Sequence, residues 1–260
     1  MPKSDVFNED CMKVMARFPD KFFELAVVDP PYGGGCSHSI QVERERESYT
    51  ADQENGIANR AVGLEDGLTA TISATRTGGT WSNKYQENIP NKIDNWDIAP
   101  SPEYFRELAR VSKNQIIWGG NYFDLPPTRC FLVWDKKQPE DFSMAMAEYA
   151  WTSFNGNAKL FESVPQRGKY SGKFHPTEKP IALYNWILDL FAKDGDKIFD
   201  PMMGSQSSRC AAFLSGYDYC GCEIDEYYFN KGNEFFERIC HGVEIDEKGN
   251  KIIQTKLFND

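Results

Sequence analysis

Leu25-Ala26-Val27-Val28-Asp29-Pro30-Pro31-Tyr32 sets an unbroken apolar run against an acid, two prolines and an aromatic ring. A short apolar run closed by a turn signal reads as a strand buried on both faces, as in a parallel sheet. The prolines end the strand, stiffen the backbone and remove N–H donors. What remains is a carboxylate on Asp29 beside the Pro30 carbonyl, both acceptors, with Pro31 adding rigidity and Tyr32 a ring face. That combination suits a planar exocyclic amine, whose lone pair is delocalised into its ring. Two acceptors taking its hydrogens push it towards tetrahedral geometry, and the aromatic face holds the attached base. The plainer reading is a proline turn that ends a buried strand, with an aromatic residue filling space.

Far downstream, Lys197-Ile198-Phe199 reads as another short strand, followed by Asp200-Pro201-Met202-Met203-Gly204-Ser205-Gln206-Ser207-Ser208 and an apolar, helix-compatible run to Leu214. Strand, glycine-containing turn and helix form a nucleotide-binding arrangement, because a helix N-terminus presents unpaired backbone donors to an anionic group. Tyr217 to Cys222 then reads as the next strand, ending at Glu223. An acid in that place is positioned to accept from ribose hydroxyls. A surface carboxylate capping the next helix is the alternative.

Further strands are expected at Val6-Phe7, Gln115 to Trp118, Phe131 to Trp134, Glu148 to Thr152 and Tyr219 to Cys222. Ser101-Pro102-Glu103 opens a helix to Val111 with a capping hydroxyl, a first-turn proline and early negative charge. Pro180 opens a second through Phe191, and Asp225 to Cys240 forms the last. Alternating strands and helices predict an α/β fold, a mostly parallel twisted sheet with helices on both faces. Both putative sites then fall at strand C-terminal ends, where such sheets bind ligands.

In this order the motifs resemble the amino-methylating DNA methyltransferases that use S-adenosylmethionine, N6-adenine or N4-cytosine, in the permuted, phage- and bacterial-like arrangement that puts the catalytic motif before the cofactor motif. The resemblance implies a Rossmann-like methyltransferase fold over residues 1–260, with Asp29, Pro30, Pro31 and Tyr32 as the catalytic motif. Asn8-Glu9-Asp10-Cys11 is similar to the segment touching the cofactor adenine, with Asp10 as acceptor and Cys11 beside it. His175-Pro176-Thr177-Glu178-Lys179-Pro180 is similar to the segment on the methionine portion, which implies cofactor roles for His175, Thr177 and Lys179. Asp200, Pro201, Gly204, Ser205 and Ser207 belong to the cofactor loop, and Glu223 becomes the ribose acceptor. The family loop commonly reads Gly-Ser-Gly, whereas this chain has Gly204-Ser205-Gln206, and a side chain at the third position restricts the backbone angles.

The implied activity is site-specific transfer of a methyl group directly to N6 of a flipped-out adenine in double-stranded DNA, with no metal. By family resemblance alone, Asp rather than Ser before Pro-Pro-Tyr favours adenine. N4-cytosine methylation and a non-catalytic DNA-binding or scaffold subunit of the same fold remain open. The resemblance is compatible with a homodimer.

A net charge of −10 with a pI near 4.9 opposes a polyanionic partner at long range. Its distribution is uneven: residues 214–260 carry ten acidic and five basic side chains, whereas Lys159, Arg167, Lys169, Lys173 and Lys179 face only Glu162 and Glu178 over residues 159–179. Lys159, Arg167, Lys169 and Lys173 are therefore the candidate DNA contacts, within a short recognition segment at 153–174; a solvated loop is the alternative. Between residues 33 and 95 periodicity fades, and this insertion reads as an active-site lid, a DNA-contacting arm or a disordered decoration.

Seven cysteines without paired C-x-x-C spacing read as reduced, mostly structural thiols. No apolar run approaches the roughly 20 residues that span a bilayer, and no secretory pattern opens the chain, so a cytoplasmic location is expected. In the tail, Gln254, Leu257 and Phe258 match the spacing of a sliding-clamp peptide. The stronger reading there is a hairpin strand, because Val243 to Ile245 and Ile252-Ile253 flank a turn around Lys248-Gly249-Asn250.

Overall fold

The structure is a computed structural model that describes residues 1–33, 57–63, 69–75, 98–138, 145–164, 174–175, 177–245 and 251–253. Its elements run β1 (Ser4–Phe7), α1 (Cys11–Met15), β2 (Phe23–Val28), β3 (Ile57–Gly63), β4 (Thr69–Thr75), α2 (Pro102–Val111), β5 (Ser112–Trp118), β6 (Phe131–Asp135), β7 (Ala147–Thr152), β8 (Lys159–Glu162), α3 (Ile181–Phe191), β9 (Lys197–Asp200), α4 (Ser207–Leu214), β10 (Asp218–Cys222), α5 (Glu226–Phe236), β11 (Val243–Ile245) and β12 (Lys251–Ile253). They fall into two compact units: Met1–Tyr32 with Ala99–Lys137 and Ala147–Asp260, and Gly33–Ile98 with Gln138–Met146.

The first unit is built on an eight-stranded sheet in the order β1-β10-β9-β2-β5-β7-β6-β8. Every pairing is parallel except those that β7 makes with β5 and β6, so one strand runs against the other seven. The fold is thus α/β with a mostly parallel sheet. β2 shows why both faces must be covered: Leu25 and Val27 enter one apolar cluster with Leu183 and Ile187 of α3, while Ala26 and Val28 enter another with Tyr104 and Leu108 of α2. Period-2 alternation sends successive side chains to opposite faces, and each fully buried aliphatic residue contributes about 1.5–3 kcal/mol. Tyr104, Leu108 and Val111, spaced at helical intervals, form the buried stripe of α2.

Several local expectations are modified. Ser101 occupies the cap of α2, but its side chain makes no capping hydrogen bond, and Pro102 with Glu103 in the first turn supplies the start signal. The last helix begins on an Asp225 side-chain cap to the Tyr228 N–H and continues as a wider π-helical turn over Glu237–His241, closed by Gly242 at φ 67°. β11 and β12 form the antiparallel tail hairpin, with Val243 opposite Ile253. Gln254, Leu257 and Phe258 lie outside the described residues.

In the second unit, β3 and β4 pair antiparallel from Ile57↔Thr75 to Gly63↔Thr69. Within the 33–95 insertion, Thr69-Ala70-Thr71-Ile72-Ser73-Ala74-Thr75 alternates small apolar residues with threonine and serine, a period-2 strand pattern inside a segment whose wider periodicity fades. No helix among the described residues is long and apolar enough to cross a membrane.

Candidate active site

Two neighbouring strands deliver the two principal motifs. β2 pairs with β9 through Leu25↔Ile198 and Ala26↔Phe199, so Asp29 and Asp200 leave adjacent strands at the same, C-terminal, edge of the sheet. Pro30 is buried directly after the strand, and Asp29, Pro31 and Tyr32 are half-buried.

Tyr32 donates its hydroxyl to Asp29 Oδ1 at 2.8 Å, and the Lys179 ammonium pairs with Asp29 Oδ2. Lys179 also meets Glu148 Oε2 at 3.0 Å and lies 3.4 Å from the Tyr32 hydroxyl. The other Glu148 oxygen accepts from Lys136 at 2.5 Å. Lys136, Glu148, Lys179 and Asp29 therefore form a row of alternating charge. Both lysines are buried, and the ring of Trp118 lies 5.4 Å from the Lys179 ammonium.

Burial dominates the proton equilibria of this row. It pushes the Asp29 carboxyl up, against the pull of Lys179 and Tyr32. For Lys179, burial alone would lower the ammonium, but Asp29 and Glu148 outweigh it and hold it protonated. Burial likewise opposes ionisation of Glu148, yet Lys179 and Lys136 bring it down to about 2. The Tyr32 hydroxyl is pushed well up by burial and by Asp29, and stays a donor. An ionised carboxylate has about four lone-pair sites, so Asp29 keeps acceptor capacity while two donors fix its orientation.

Tyr32 is held by its neighbours as well. Its ring stacks on Tyr122 with centroids 4.8 Å apart and planes at 17°, and Phe123 meets it edge-on at 6.3 Å. Gly119, at φ 67°, follows β5 and leads into a 3-10 turn over Gly120–Tyr122.

The second motif is organised from within. Asp200, fully buried at the end of β9, accepts from the Met202 N–H at 3.2 Å and from Ser208 Oγ at 2.6 Å, tying the start of the loop to the first turn of α4. Burial pushes its carboxyl up to about 7, against both hydrogen bonds. The Pro201 carbonyl lies 3.1 Å from Cys222 Sγ, and the Ser205 and Ser207 hydroxyls are 3.1 Å apart, both buried. Glu223 accepts from the Gly204 N–H at 3.0 Å and from the Asp225 N–H at 2.9 Å, joining the loop to the end of β10. Burial raises this carboxyl too.

Gln206 takes the left-handed conformation, φ 62°, that glycine would adopt freely, and its side chain turns into the protein. The amide donates to the Phe229 carbonyl at 3.0 Å and accepts from Arg209 at 2.7 Å; Arg209 also reaches Asn233 and Ser4. Gly232 on α5 makes room, since a Cβ there would lie 2.4 Å from the Gln206 amide nitrogen. The departure from Gly-Ser-Gly thus keeps the backbone turn and sends its side chain to α5, away from the loop's outer face.

The remaining candidates divide. Asp10 caps α1 by accepting from the Met12 and Lys13 N–H groups, and burial followed by the charge of Asp10 pushes the adjoining Cys11 thiol up to about 11. Asn8 donates to the Glu223 carbonyl at 2.8 Å, which places the first segment beside the end of β10. His175 packs edge-on against Tyr228 at 4.4 Å and lies over Gly204, where a Cβ would come within 3.2 Å of its ring. Thr177 lies 3.3 Å from His175 Nδ1. Lys179 is drawn to the Asp29 carboxylate. Lys159 is exposed at the start of edge strand β8. Arg167, Lys169 and Lys173 lie outside the described residues. No cluster of potential metal ligands occurs among the described residues.

Glu148 was absent from the sequence-derived site. Its only linear signal is a charge at the start of an apolar strand, and pairing of β6 with β7, which sets Glu148 opposite Trp134, brings it to Lys136.

Comparison with known proteins gives a match of residues 23–234 to the N6/N4 methyltransferase model described as DNA methylase. The candidate methylase YubD of Escherichia coli (strain K12) is 24% identical over 247 residues, covering 86% of both chains. Type II methyltransferase M2.MboI of Moraxella bovis is 24% identical over 242 residues, 84% of this chain and 82% of that protein. The crystal structure of the M1.HpyAVI-SAM complex aligns with a TM-score of 0.48 and 14% identity, covering 89% of this chain and 99% of the other.

Proposed function

We propose that this chain, which belongs to the N6/N4 DNA methylase family, methylates N6 of adenine at a specific site in double-stranded DNA. The observation that carries the reading is Asp29, fixed by Tyr32 and Lys179 at the end of β2, one strand from the Asp200–Ser208 loop. Asp29 and the Pro30 carbonyl accept the two hydrogens of the amine, and Tyr32 stacks on the base that has left the duplex. Holding acceptors where charge develops, rather than supplying a nucleophile or a metal, is the chemistry these residues perform.

S-Adenosylmethionine supplies the electrophilic methyl group when bound. The donor set suits it. Glu223 and Asp10 offer carboxylates to hydroxyl and amine donors, the loop from Gly204 leads into the N-terminus of α4, and His175 closes over a glycine that leaves no Cβ. Ser205, Ser207, Pro201 and Asp200 shape the loop from inside. Lys159, with Arg167, Lys169 and Lys173, is assigned to the DNA backbone, and the insertion at residues 33–95 to a lid or DNA-contacting arm.

Incubation with tritiated S-adenosylmethionine and unmethylated genomic DNA, followed by nucleoside separation, tests the reading. Label in N6-methyladenine is expected. Label in N4-methylcytosine moves the base assignment within the family, and cofactor binding without label on any DNA overturns the enzymatic reading.

A further inference from the structure

We propose that Glu148 and Lys136 are positioning residues for methyl transfer: they set how strongly Lys179 holds Asp29, and so how readily Asp29 accepts a hydrogen from the substrate amine. This rests on the role given to Asp29 above.

The geometry is a relay from three separate parts of the chain. Lys136 directly follows β6, Glu148 lies in antiparallel β7, and Lys179 precedes α3. Each Glu148 oxygen serves a different lysine, Oε1 to Lys136 at 2.5 Å and Oε2 to Lys179 at 3.0 Å. Lys136 is 7% exposed and Lys179 4%, so solvent screens neither strongly. A buried ammonium facing a single carboxylate neutralises that carboxylate and occupies its lone pairs. Glu148 gives Lys179 a second counter-charge, so Asp29 is held in place yet retains its anionic character. Lys136 balances Glu148 and stops it from drawing Lys179 away altogether.

The groups acting on Asp29 are Lys179, Glu148 and Tyr32, with Tyr184 of α3 and Asp200 of β9 further off. Those acting on Glu148 are Lys179 and Lys136, with Asp29 and Tyr32 also interacting with it electrostatically. The two supporting residues carry opposite charge and must move Asp29 in opposite directions. Glu148→Gln removes a negative neighbour and leaves Lys179 to Asp29 alone, so Asp29 ionises at lower pH while its acceptor strength falls. Lys136→Met frees Glu148 to compete for Lys179, so Asp29 ionises at higher pH.

The test is the pH profile of kcat for wild type, Glu148→Gln and Lys136→Met, with saturating tritiated S-adenosylmethionine and unmethylated genomic DNA. The acid limb is expected to move down for Glu148→Gln and up for Lys136→Met, each by about half a pH unit or more. In Glu148→Gln, kcat should also fall about tenfold, with KM for S-adenosylmethionine within about twofold of wild type. A structural role lowers activity without opposed displacements, so limbs that stay together or move the same way in an active enzyme overturn the proposal. Thermal unfolding checks each variant. If Glu148→Gln does not fold, the direction for Lys136→Met decides alone. A wild-type protein that transfers no methyl group to DNA overturns the reading of Asp29 itself, and this inference with it.

Discussion

A Cβ on Gly119 would lie 2.2 Å from Tyr32 Cε1, so the ring that ends the Asp29–Tyr32 tetrapeptide rests directly on the backbone that follows β5. The other strand end of the site is thereby part of the stacking platform: the 3-10 turn after Gly119 carries Tyr122 onto the Tyr32 ring.

Gly119→Ala is expected to displace Tyr32 and to strain a backbone at φ 67°. The left-handed conformation alone costs about 1–2 kcal/mol, and the contact with the ring adds to it. Methyl transfer should fall at least about tenfold while S-adenosylmethionine binding, measured by calorimetry, is retained. Unchanged turnover would mean that the platform is not set by this contact.

Tyr32 has two separable parts, a ring face and a hydroxyl that donates to Asp29. Tyr32→Phe keeps the ring and loses one hydrogen bond to a charged acceptor, worth about 1.5–3 kcal/mol, so kcat should drop by about tenfold or somewhat more. Tyr32→Ala loses both parts and should be lower by at least about a further tenfold. Equal losses in steady-state assays would assign the whole role to the hydroxyl.

Much of this site was legible in the chain because its parts are local. An apolar run ended by Asp29-Pro30-Pro31-Tyr32, and a strand passing through Gly204 into a helix, announce themselves over a few residues, and the structure puts them on adjacent strands β2 and β9. Glu148 was not legible, since a lone glutamate in Ala147–Thr152 looks like an ordinary solvent-facing strand residue until pairing with β6 sets it beside a lysine. The same holds for the Gln206 side chain, whose partner on α5, the Phe229 carbonyl, lies more than twenty positions away. Short strand β8 has only Lys159 to Glu162 to announce it, and in the hairpin β4 alternates small apolar residues with threonine and serine while β3 carries Asn59 and Arg60, so neither has the continuous apolar run that marks β2.

Gln206 combines a strained backbone with a satisfied buried side chain, and two substitutions separate these effects. Gln206→Gly relieves the left-handed strain but loses the bonds to Phe229 and Arg209. Gln206→Ala loses the same bonds and keeps the strain. Both should be less stable than wild type by about 1–3 kcal/mol, with alanine the worse by about 1 kcal/mol. Urea denaturation gives the order, and a glycine variant more stable than wild type would contradict the side chain's structural role.

Asp200 makes stability depend on pH. Burial pushes its carboxyl up to about 7 in the folded protein, against about 3.9 for an unfolded aspartate. A raised folded value means that the folded state binds the proton more tightly. Its contribution is therefore fully present below about pH 4 and is lost as pH rises to about 7. Asp200→Asn removes this dependence, so the stability of wild type relative to the variant should fall by on the order of 2–4 kcal/mol between pH 4 and pH 8. Parallel curves from urea unfolding at the two pH values would show that Asp200 is ionised throughout.

The most direct test of the account is methyl transfer by Asp29→Ala, measured with tritiated S-adenosylmethionine and unmethylated genomic DNA alongside cofactor binding by the same preparation. If the Asp29 carboxylate is the acceptor that prepares the amine, label in DNA falls to background while cofactor binding stays within a few-fold of wild type. Substantial residual transfer by a folded, cofactor-binding Asp29→Ala protein would contradict it.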